Sequence, residues 1–236
     1  MYDVNVKLLD NIVEKLRRKK IKRFIYLSSV AVYKNKSEGI IKETNKDFSE
    51  TIYSSTKLKA ENIVIKNSFL NNYTPIILRP ATIIGKDMPN KSIVQLISLI
   101  KKGFFFYFGN QESFLNYLYV RDLSKIVYYF STSKKKPRFI IYNISNFLKL
   151  KYFVKSVHKY YKLDKKDYIN LPYTFIKILS LIGLLFNKFP LTPNRMSALS
   201  IKHRYCTRRL SELLDLKKLN NSNKGFLEVM STIKKN

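Results

Sequence analysis

Two side chains that can exchange a proton with a substrate lie one helical turn apart, Tyr53 and Lys57. Residues at positions i and i+4 share one face of a helix, so the Lys57 ammonium can lie beside the Tyr53 phenol and favour its ionised form. A neighbouring cation makes a phenol usable as a general acid or base nearer to neutral pH. Ser29 comes about two dozen residues earlier, and its hydroxyl can hold the substrate oxygen that gains or loses the proton. This combination predicts hydride chemistry with a nicotinamide.

The flanking segments predict a strand, helix and strand unit. One apolar run ends in Ser28-Ser29, another covers residues 75–80, and the helix with Tyr53 and Lys57 lies between them. Such runs are typical of buried parallel strands, and open α/β sheets bind ligands at the carboxyl edge of their strands. Further along, we expect helices at 3–19, 50–70, 93–102, 149–161 and from the cap Asp122 to 131, strands at 23–28, 74–79, 104–108, 115–120 and 138–144, and a polar loop at 34–49.

Several further motifs follow in a fixed order. They are Ser28-Ser29 with Val32-Tyr33, Glu43, Tyr53-x-x-x-Lys57-x-x-x-Glu61, Leu78-Arg79-Pro80 with Gly85, and the segment 116–123. From residue 5 to about residue 215, the chain resembles the extended short-chain dehydrogenases/reductases and, within them, the NAD-dependent epimerase/dehydratase family. The resemblance implies an α/β fold, a partial Rossmann-like doubly wound parallel sheet with a small C-terminal substrate lobe.

The resemblance also implies roles for individual residues. Ser29 would hold the substrate hydroxyl, Tyr53 would be the acid/base, and Lys57 would favour the phenolate and bind the nicotinamide ribose. The expected cofactor is NAD or NADP, and the expected activity is that of an epimerase or reductase acting on a nucleotide sugar. The implied cofactor contacts are Ser28, Tyr53, Lys57, Pro80 and Ala81, and the implied substrate contacts are Ser29, Thr82 and Asn116.

Two departures from the family pattern narrow this expectation. Val30-Ala31 stands where a dehydratase would carry an acidic pair, which favours epimerisation or reduction over dehydration. Leu115-Asn116 stands where many sugar-nucleotide epimerases carry an arginine for the diphosphate. The nucleotide sugar is therefore implied by the family alone, because the sequence shows no arginine at the position that would bind the diphosphate.

The six glycines cannot form a phosphate loop, which needs three closely spaced glycines between a strand and a helix. We expect the glycine-rich half to be missing, either because the sequence is a fragment of a longer reading frame, which we favour, or because the protein is naturally shortened. In both cases the chain would bind NAD poorly. The alternative is a catalytically inactive structural or partner-binding remnant that associates with anionic surfaces. The six glycines are Gly39, Gly85, Gly103, Gly109, Gly183 and Gly225.

Composition predicts a globular chain with a substantial core, since 45% of its 236 residues are hydrophobic and 14% are aromatic. We expect residues 1–145 to form the Rossmann-like part with interleaved lobe segments, and 146–236 to form a mainly helical substrate lobe and tail. A single cysteine, Cys206, and two separated histidines, His158 and His203, predict no disulfide and no metal site, and a cytoplasmic setting.

The formal charge of +29 raises the question of an anionic partner. Basic residues are spread along the chain, with runs at 15–20 and 134–136, so a composition-wide bias is favoured over nucleic-acid binding. The apolar segment Pro172–Phe186 is too short to span a membrane, so we expect it to form a lid or substrate-lobe helix, with contact to a membrane surface as the alternative. Helices 3–19 and 50–70 carry apolar stripes, which either pack a homodimer, as in the family, or face the sheet.

Overall fold

The computed structural model describes residues 1–16, 19–35, 38–88, 91–108, 113–164, 168–172, 200–219 and 222–233. A π-helical turn, Asp3–Lys7, leads into the first α-helix, and short 3-10 turns cover Val30–Val32 and Leu216–Leu219. The α-helices are α1 (Leu8–Lys15), α2 (Ile52–Asn71), α3 (Lys91–Lys101), α4 (Val120–Thr132), α5 (Leu150–Tyr161), α6 (Arg208–Ser211) and α7 (Ser222–Thr232). The strands are β1 (Arg23–Leu27), β2 (Glu38–Ile41), β3 (Thr74–Pro80), β4 (Thr82–Ile84), β5 (Tyr107–Phe108), β6 (Phe114–Tyr119), β7 (Ile141–Ile144), β8 (Asn146–Lys149), β9 (Asn170–Leu171) and β10 (Lys202–Tyr205).

A parallel sheet with the order β1-β3-β7 carries the first predicted unit. Leu27 on β1 is in register with Leu78 on β3, and Leu78 is in register with Tyr142 on β7. All residues of β3 after Thr74 are buried, as expected for a parallel strand covered on both faces. The predicted α/β fold with a Rossmann-like parallel sheet is confirmed.

The predicted loop at 34–49 is wrong in part, because residues 38–41 form β2 and pair in parallel with β10. The partner strand lies about 160 residues later in the chain, and its sequence alternates too weakly to predict the pairing. The proposed cap is also wrong. Asp122 lies inside the first turn of α4, where its negative charge interacts favourably with the helix dipole. Tyr119 occupies the N-cap position.

Two clusters of buried side chains form most of the core. One joins β3, β7 and α4, and its buried members include Leu78, Phe130 and Tyr142, with Leu210 of α6 added from the C-terminal part. The other joins the small lobe, in which α3, α5 and α7 pack on β4 and β6. Each cluster draws residues from both sides of position 145.

The apolar stripe of the first helix faces inward. Leu9 and Val13 are buried against Ala60 and Val64 of α2, in the cluster that also covers β1. The stripe is therefore core within one chain. A second row on the opposite side, Val4, Leu8 and Ile12, remains exposed.

The remaining sequence expectation concerns the segment Pro172–Phe186. Apart from Pro172, this segment lies outside the described residues. Within the part of the chain that the structure describes, no helix combines the length and the apolar character needed to cross a membrane.

Candidate active site

The start of α2 fixes the direction in which Tyr53 and Lys57 project. The Thr51 side chain caps the helix by accepting a hydrogen bond of 3.2 Å from the Ser54 backbone N–H. The Ser54 hydroxyl donates back to the Ser49 carbonyl at 2.6 Å, so the entry into the helix is tied down. A capped start without proline or glycine lets α2 run for 20 residues and places Tyr53 and Lys57 in its first two turns.

Ser29 lies directly after β1, where the chain leaves the sheet. It caps the 3-10 turn Val30–Val32, and its Oγ accepts a hydrogen bond of 3.1 Å from the Ala31 N–H. This bond occupies one lone pair of the oxygen, so the hydroxyl proton is left for donation to a ligand. The side chain is half-buried, as is suitable for a group that contacts a substrate.

Lys57 connects the helix to the end of β1. Its Nζ donates to the Leu27 carbonyl at 3.0 Å and lies 6.0 Å from the centre of the Tyr53 ring. An ammonium has three N–H donors, so with respect to the described residues two remain after this bond. Burial lowers the pKa of Lys57, and the negative charge of Glu61 partly opposes that shift. The structure therefore brings Tyr53, Lys57 and the serine-bearing end of β1 to one place.

Ser28 points the other way, into the protein. It is buried, and its hydroxyl donates to Glu61 Oε1 at 2.5 Å. Glu61 also accepts two hydrogen bonds from Arg79, at 2.9 Å from Nε and 2.5 Å from Nη2. The Glu61 and Arg79 side chains are only 4% and 3% exposed, so this is a fully desolvated ion pair with bidentate geometry. Together with Ser28, this ion pair joins the end of β1 to α2 and β3, next to the candidate site.

The network continues from Arg79 toward the C-terminal part of the chain. Arg79 Nη1 donates to the Tyr33 hydroxyl at 2.7 Å, and Tyr33 donates to Asn143 Oδ1 at 2.8 Å. The Asn143 N–H donates to Glu43 at 3.2 Å, and Arg209 lies 3.9 Å from the same carboxylate. Polar groups on five separate segments are thereby satisfied inside the core.

Tyr26 is the unusual member of this region. Its hydroxyl is buried and has no hydrogen-bond partner among the described residues, while Lys57 Nζ lies 5.0 Å from its ring centre. Burial raises the pKa of Tyr26, and the charges of Glu61 and Tyr53 raise it further. Tyr26 is therefore a neutral phenol beside the ammonium.

The other predicted ligand contacts lie on two different sheets. Pro80 ends β3, and Ala81 is buried with its N–H bonded to the Ile144 carbonyl at 2.8 Å. Thr82 is exposed at the start of β4. Asn116 lies on β6, where its Nδ2 donates to the His203 carbonyl at 3.0 Å and its buried Oδ1 has no partner among the described residues. Within those residues, no hydrogen bond of Asn116 reaches Ser29, Tyr53 or Lys57.

Sequence reasoning noted Glu61, Arg79, Tyr33 and Glu43 as motif positions and assigned none of them a role. The signal was present, because Glu61 follows Lys57 by one further turn on the same helix face and Arg79 interrupts a buried apolar strand. A charge within such a strand needs an opposite charge nearby. Glu61 and Arg79 can be paired as soon as α2 is placed over β3.

The residues present fit one end of a dinucleotide. The free donors of Lys57 suit ribose hydroxyls, and Ser29 has a proton to donate beside them. The sequence has no glycine trio for the pyrophosphate. Among the described residues, no group of three histidine, cysteine or acidic side chains could hold a metal ion.

Comparison with known proteins defines the class. The model of the NAD dependent epimerase/dehydratase family matches residues 1–145, and the chain belongs to this family. No curated protein matches the sequence significantly.

Solved structures agree on the fold. UDP-glucuronic acid 4-epimerase from Bacillus cereus, in complex with NAD, is similar with a TM-score of 0.71 and 17% identity over 98% of this chain and 68% of that chain. RMD from Pseudomonas aeruginosa, complexed with NADPH, has a TM-score of 0.62 and 15% identity over 98% and 73%. UDP-glucose 4-epimerase from Thermotoga maritima, with UDP-glucose, has a TM-score of 0.57 and 18% identity over 72% and 57%.

Proposed function

We propose that this chain carries the catalytic residues of an NAD(P)-dependent epimerase or reductase acting on a nucleotide sugar. The position of Lys57 supports the proposal most directly, because its ammonium lies between the Leu27 carbonyl, next to the serine pair, and the Tyr53 ring. Family membership and the similarity to proteins solved with NAD, NADPH, UDP-glucuronic acid and UDP-glucose agree with it.

In this proposal, each residue has a separate task. Ser29 donates its free proton to the substrate oxygen and holds it toward Tyr53. Tyr53 moves the proton at that oxygen, and Lys57 stabilises the phenolate through space. A nicotinamide, when bound, supplies the site that exchanges hydride with the adjacent carbon. Two Lys57 N–H groups would hold its ribose, while Pro80 and Ala81 would line its ring and Thr82 would contact the sugar.

The partial exposure of Tyr53 makes a direct binding test feasible, since the residue is 36% exposed. The ring carbons of the tyrosines are labelled with ¹³C, and the Tyr53 signal is assigned by its loss in Tyr53→Phe. UDP-glucuronic acid and UDP-glucose at millimolar concentration should shift the Tyr53 signal more than UDP alone does. Shifts confined to other tyrosines would place the sugar elsewhere.

A homodimer through the first two helices is the partner arrangement we propose. Val4, Leu8 and Ile12 form an exposed apolar row on one side of the N-terminal helical segment, spaced for packing against a second copy. Sedimentation should give twice the monomer mass, and Leu8→Lys should halve it. A monomeric wild-type chain would refute this arrangement.

A non-enzymatic role is the second candidate, and the sheet edge favours it. Among the described residues, β1 has a partner only on its β3 side. An open edge of this kind pairs readily with another chain. In this case the chain would bind a partner strand and show no nucleotide-sugar binding at Tyr53, so the same NMR titration separates the two candidates.

A further inference from the structure

The small lobe carries a surface that takes no part in the proposed reaction. We infer that the surface formed by Phe104, Ile169 and the lysines at the ends of α3 and α5 binds a membrane that contains anionic phospholipid. This lipid-facing surface is independent of the Tyr53 site and needs no spanning helix.

The carboxyl ends of α3 and α5 are held side by side. Tyr168 OH lies 2.8 Å from His158 Nε2 on α5 and 3.3 Å from the Ile100 carbonyl on α3. Lys101 Nζ also lies 4.7 Å from the centre of the Tyr161 ring. Lysines near both helix ends therefore share one region of the surface, and Lys102, Lys159 and Lys162 are exposed there.

The two apolar side chains lie shortly before the paired strands β5 and β9, beside these helix ends. Tyr107 pairs with Asn170, so Phe105 lies opposite Tyr168 in the same register, and their rings contact edge to face at 5.1 Å. Phe105 and Tyr107 are buried. Because side chains alternate along an extended chain, Phe104 and Ile169 point away from this core. Their exposed fractions, 71% and 70%, agree with that direction.

The lysines at these two helix ends are not balanced by acidic side chains. Residues 99–108 and 155–164 contain five lysines and one acidic residue, Asp164. Residues 1–16 of the same chain contain two lysines and three acidic residues. A general bias toward lysine would affect both regions. The helix dipole favours a cation at each helix end, but it does not account for two exposed apolar side chains among the lysines.

Apolar side chains surrounded by cations match an anionic bilayer surface. The apolar groups enter the boundary between headgroups and acyl chains, and each lysine near the surface adds electrostatic attraction to anionic lipid. A nucleic acid would use the charges and could stack on Phe104, but Ile169 has no ring on which a base can stack. The pair therefore favours lipid over nucleic acid.

The test is sedimentation of the full chain with vesicles of phosphatidylcholine, with and without phosphatidylglycerol at about 30 mol%. We expect binding only to the anionic vesicles, weakening as salt rises. Phe104→Asp with Ile169→Asp should lower the partition coefficient at least about tenfold. Lys102→Glu, Lys159→Glu and Lys162→Glu together should do the same.

Two control variants separate this surface from net charge. Lys134→Glu, Lys135→Glu and Lys136→Glu remove an equally exposed lysine run with the same change in charge, and Tyr128→Asp with Ile140→Asp changes two exposed apolar side chains elsewhere. Both controls should lower partitioning by less than about threefold. Each variant must keep the wild-type thermal midpoint, and Lys→Gln replaces Lys→Glu where reversal lowers it.

The following results would overturn the inference. An equal loss in the two lysine variants would show that net charge alone drives binding. An unchanged partition coefficient in the Phe104 and Ile169 variant would remove the apolar contact. Binding of a single-stranded RNA that these variants abolish, without any loss of vesicle binding, would identify a nucleic acid as the partner.

Discussion

The buried pair of Glu61 and Arg79 allows the sharpest prediction about stability. In Glu61→Gln, the Arg79 guanidinium keeps its place inside the core but loses the carboxylate that accepts its Nε and Nη2 donors. The new amide offers one acceptor oxygen for what were three incoming hydrogen bonds, including that of Ser28. The NH₂ group of the new amide would face a donor of Arg79 or Ser28.

The size of the effect follows from the burial. Removing one partner of a fully desolvated pair costs about 3–5 kcal/mol, because the remaining charge is left unpaired. Because the amide oxygen remains as an acceptor, the cost of Glu61→Gln should lie near the lower end of this range, about 3 kcal/mol. For a chain of this length, that corresponds to a fall of about 6–12 °C in the thermal midpoint. The exposed Glu14→Gln should change the stability by less than about 0.5 kcal/mol.

Urea unfolding of four proteins measures the pair directly: wild type, Glu61→Leu, Arg79→Leu and the double variant. We expect the double variant to be more stable than the sum of the single costs predicts, by at least about 2 kcal/mol, because it leaves no unpaired charge. Additive costs, or a loss below about 1 kcal/mol in Glu61→Gln, would refute the idea that this pair is desolvated and coupled.

Three further predictions concern ionisation and packing. Burial lowers the pKa of Lys57, so its charged form costs stability below the folded-state pKa; this cost disappears as pH rises through 10.5. Lys57→Met removes this pH dependence together with the hydrogen bond to the Leu27 carbonyl, so its stability relative to wild type should fall as pH rises toward 10.5 in urea titrations. Burial raises the pKa of Tyr205 to about 12, so wild type should lose stability between about pH 10 and 12, and Tyr205→Phe should lose less over that range. In Gly225→Ala, the added methyl would lie 2.9 Å from Tyr119 and 3.0 Å from Ile84, so the thermal midpoint should fall with a cost of about 1–3 kcal/mol.

Controls accompany these three measurements. Lys59→Met, on an exposed position of the same helix, should show no pH-dependent difference from wild type. The exposed Tyr128→Phe should leave the alkaline unfolding curve unchanged. Ser231→Ala, exposed on the C-terminal helical segment, should not lower the midpoint as Gly225→Ala does. Equal behaviour of a variant and its control would contradict the corresponding prediction.

The elements that hold Tyr53 and Lys57 could be predicted because their signals are local. An uninterrupted helical segment and two apolar strands specify α2, β1 and β3 within a few residues. The pairing of β2 with β10 could not be predicted, since four residues with one buried side chain carry little pattern and their partner is remote.

The chemistry of the site divides in the same way. The proximity of Tyr53 and Lys57 follows from helical spacing alone. The inward turn of Ser28, the orphan hydroxyl of Tyr26 and the chain of contacts from Glu61 to Arg209 depend on how α2, β3 and the C-terminal part pack together. Sequence motifs marked several of these residues, but only the packed structure shows which side chains they contact.

The central claim is that Tyr53 moves the proton that accompanies hydride transfer. Its most direct test is the turnover of UDP-glucuronic acid, followed by NMR, in a fusion of this chain to a glycine-rich strand–turn–helix unit that binds the pyrophosphate of NAD. We predict that Tyr53→Phe lowers kcat at least about 10²-fold while NAD stays bound, and that Ser55→Ala leaves kcat unchanged. Turnover at the parent rate in Tyr53→Phe would contradict the account.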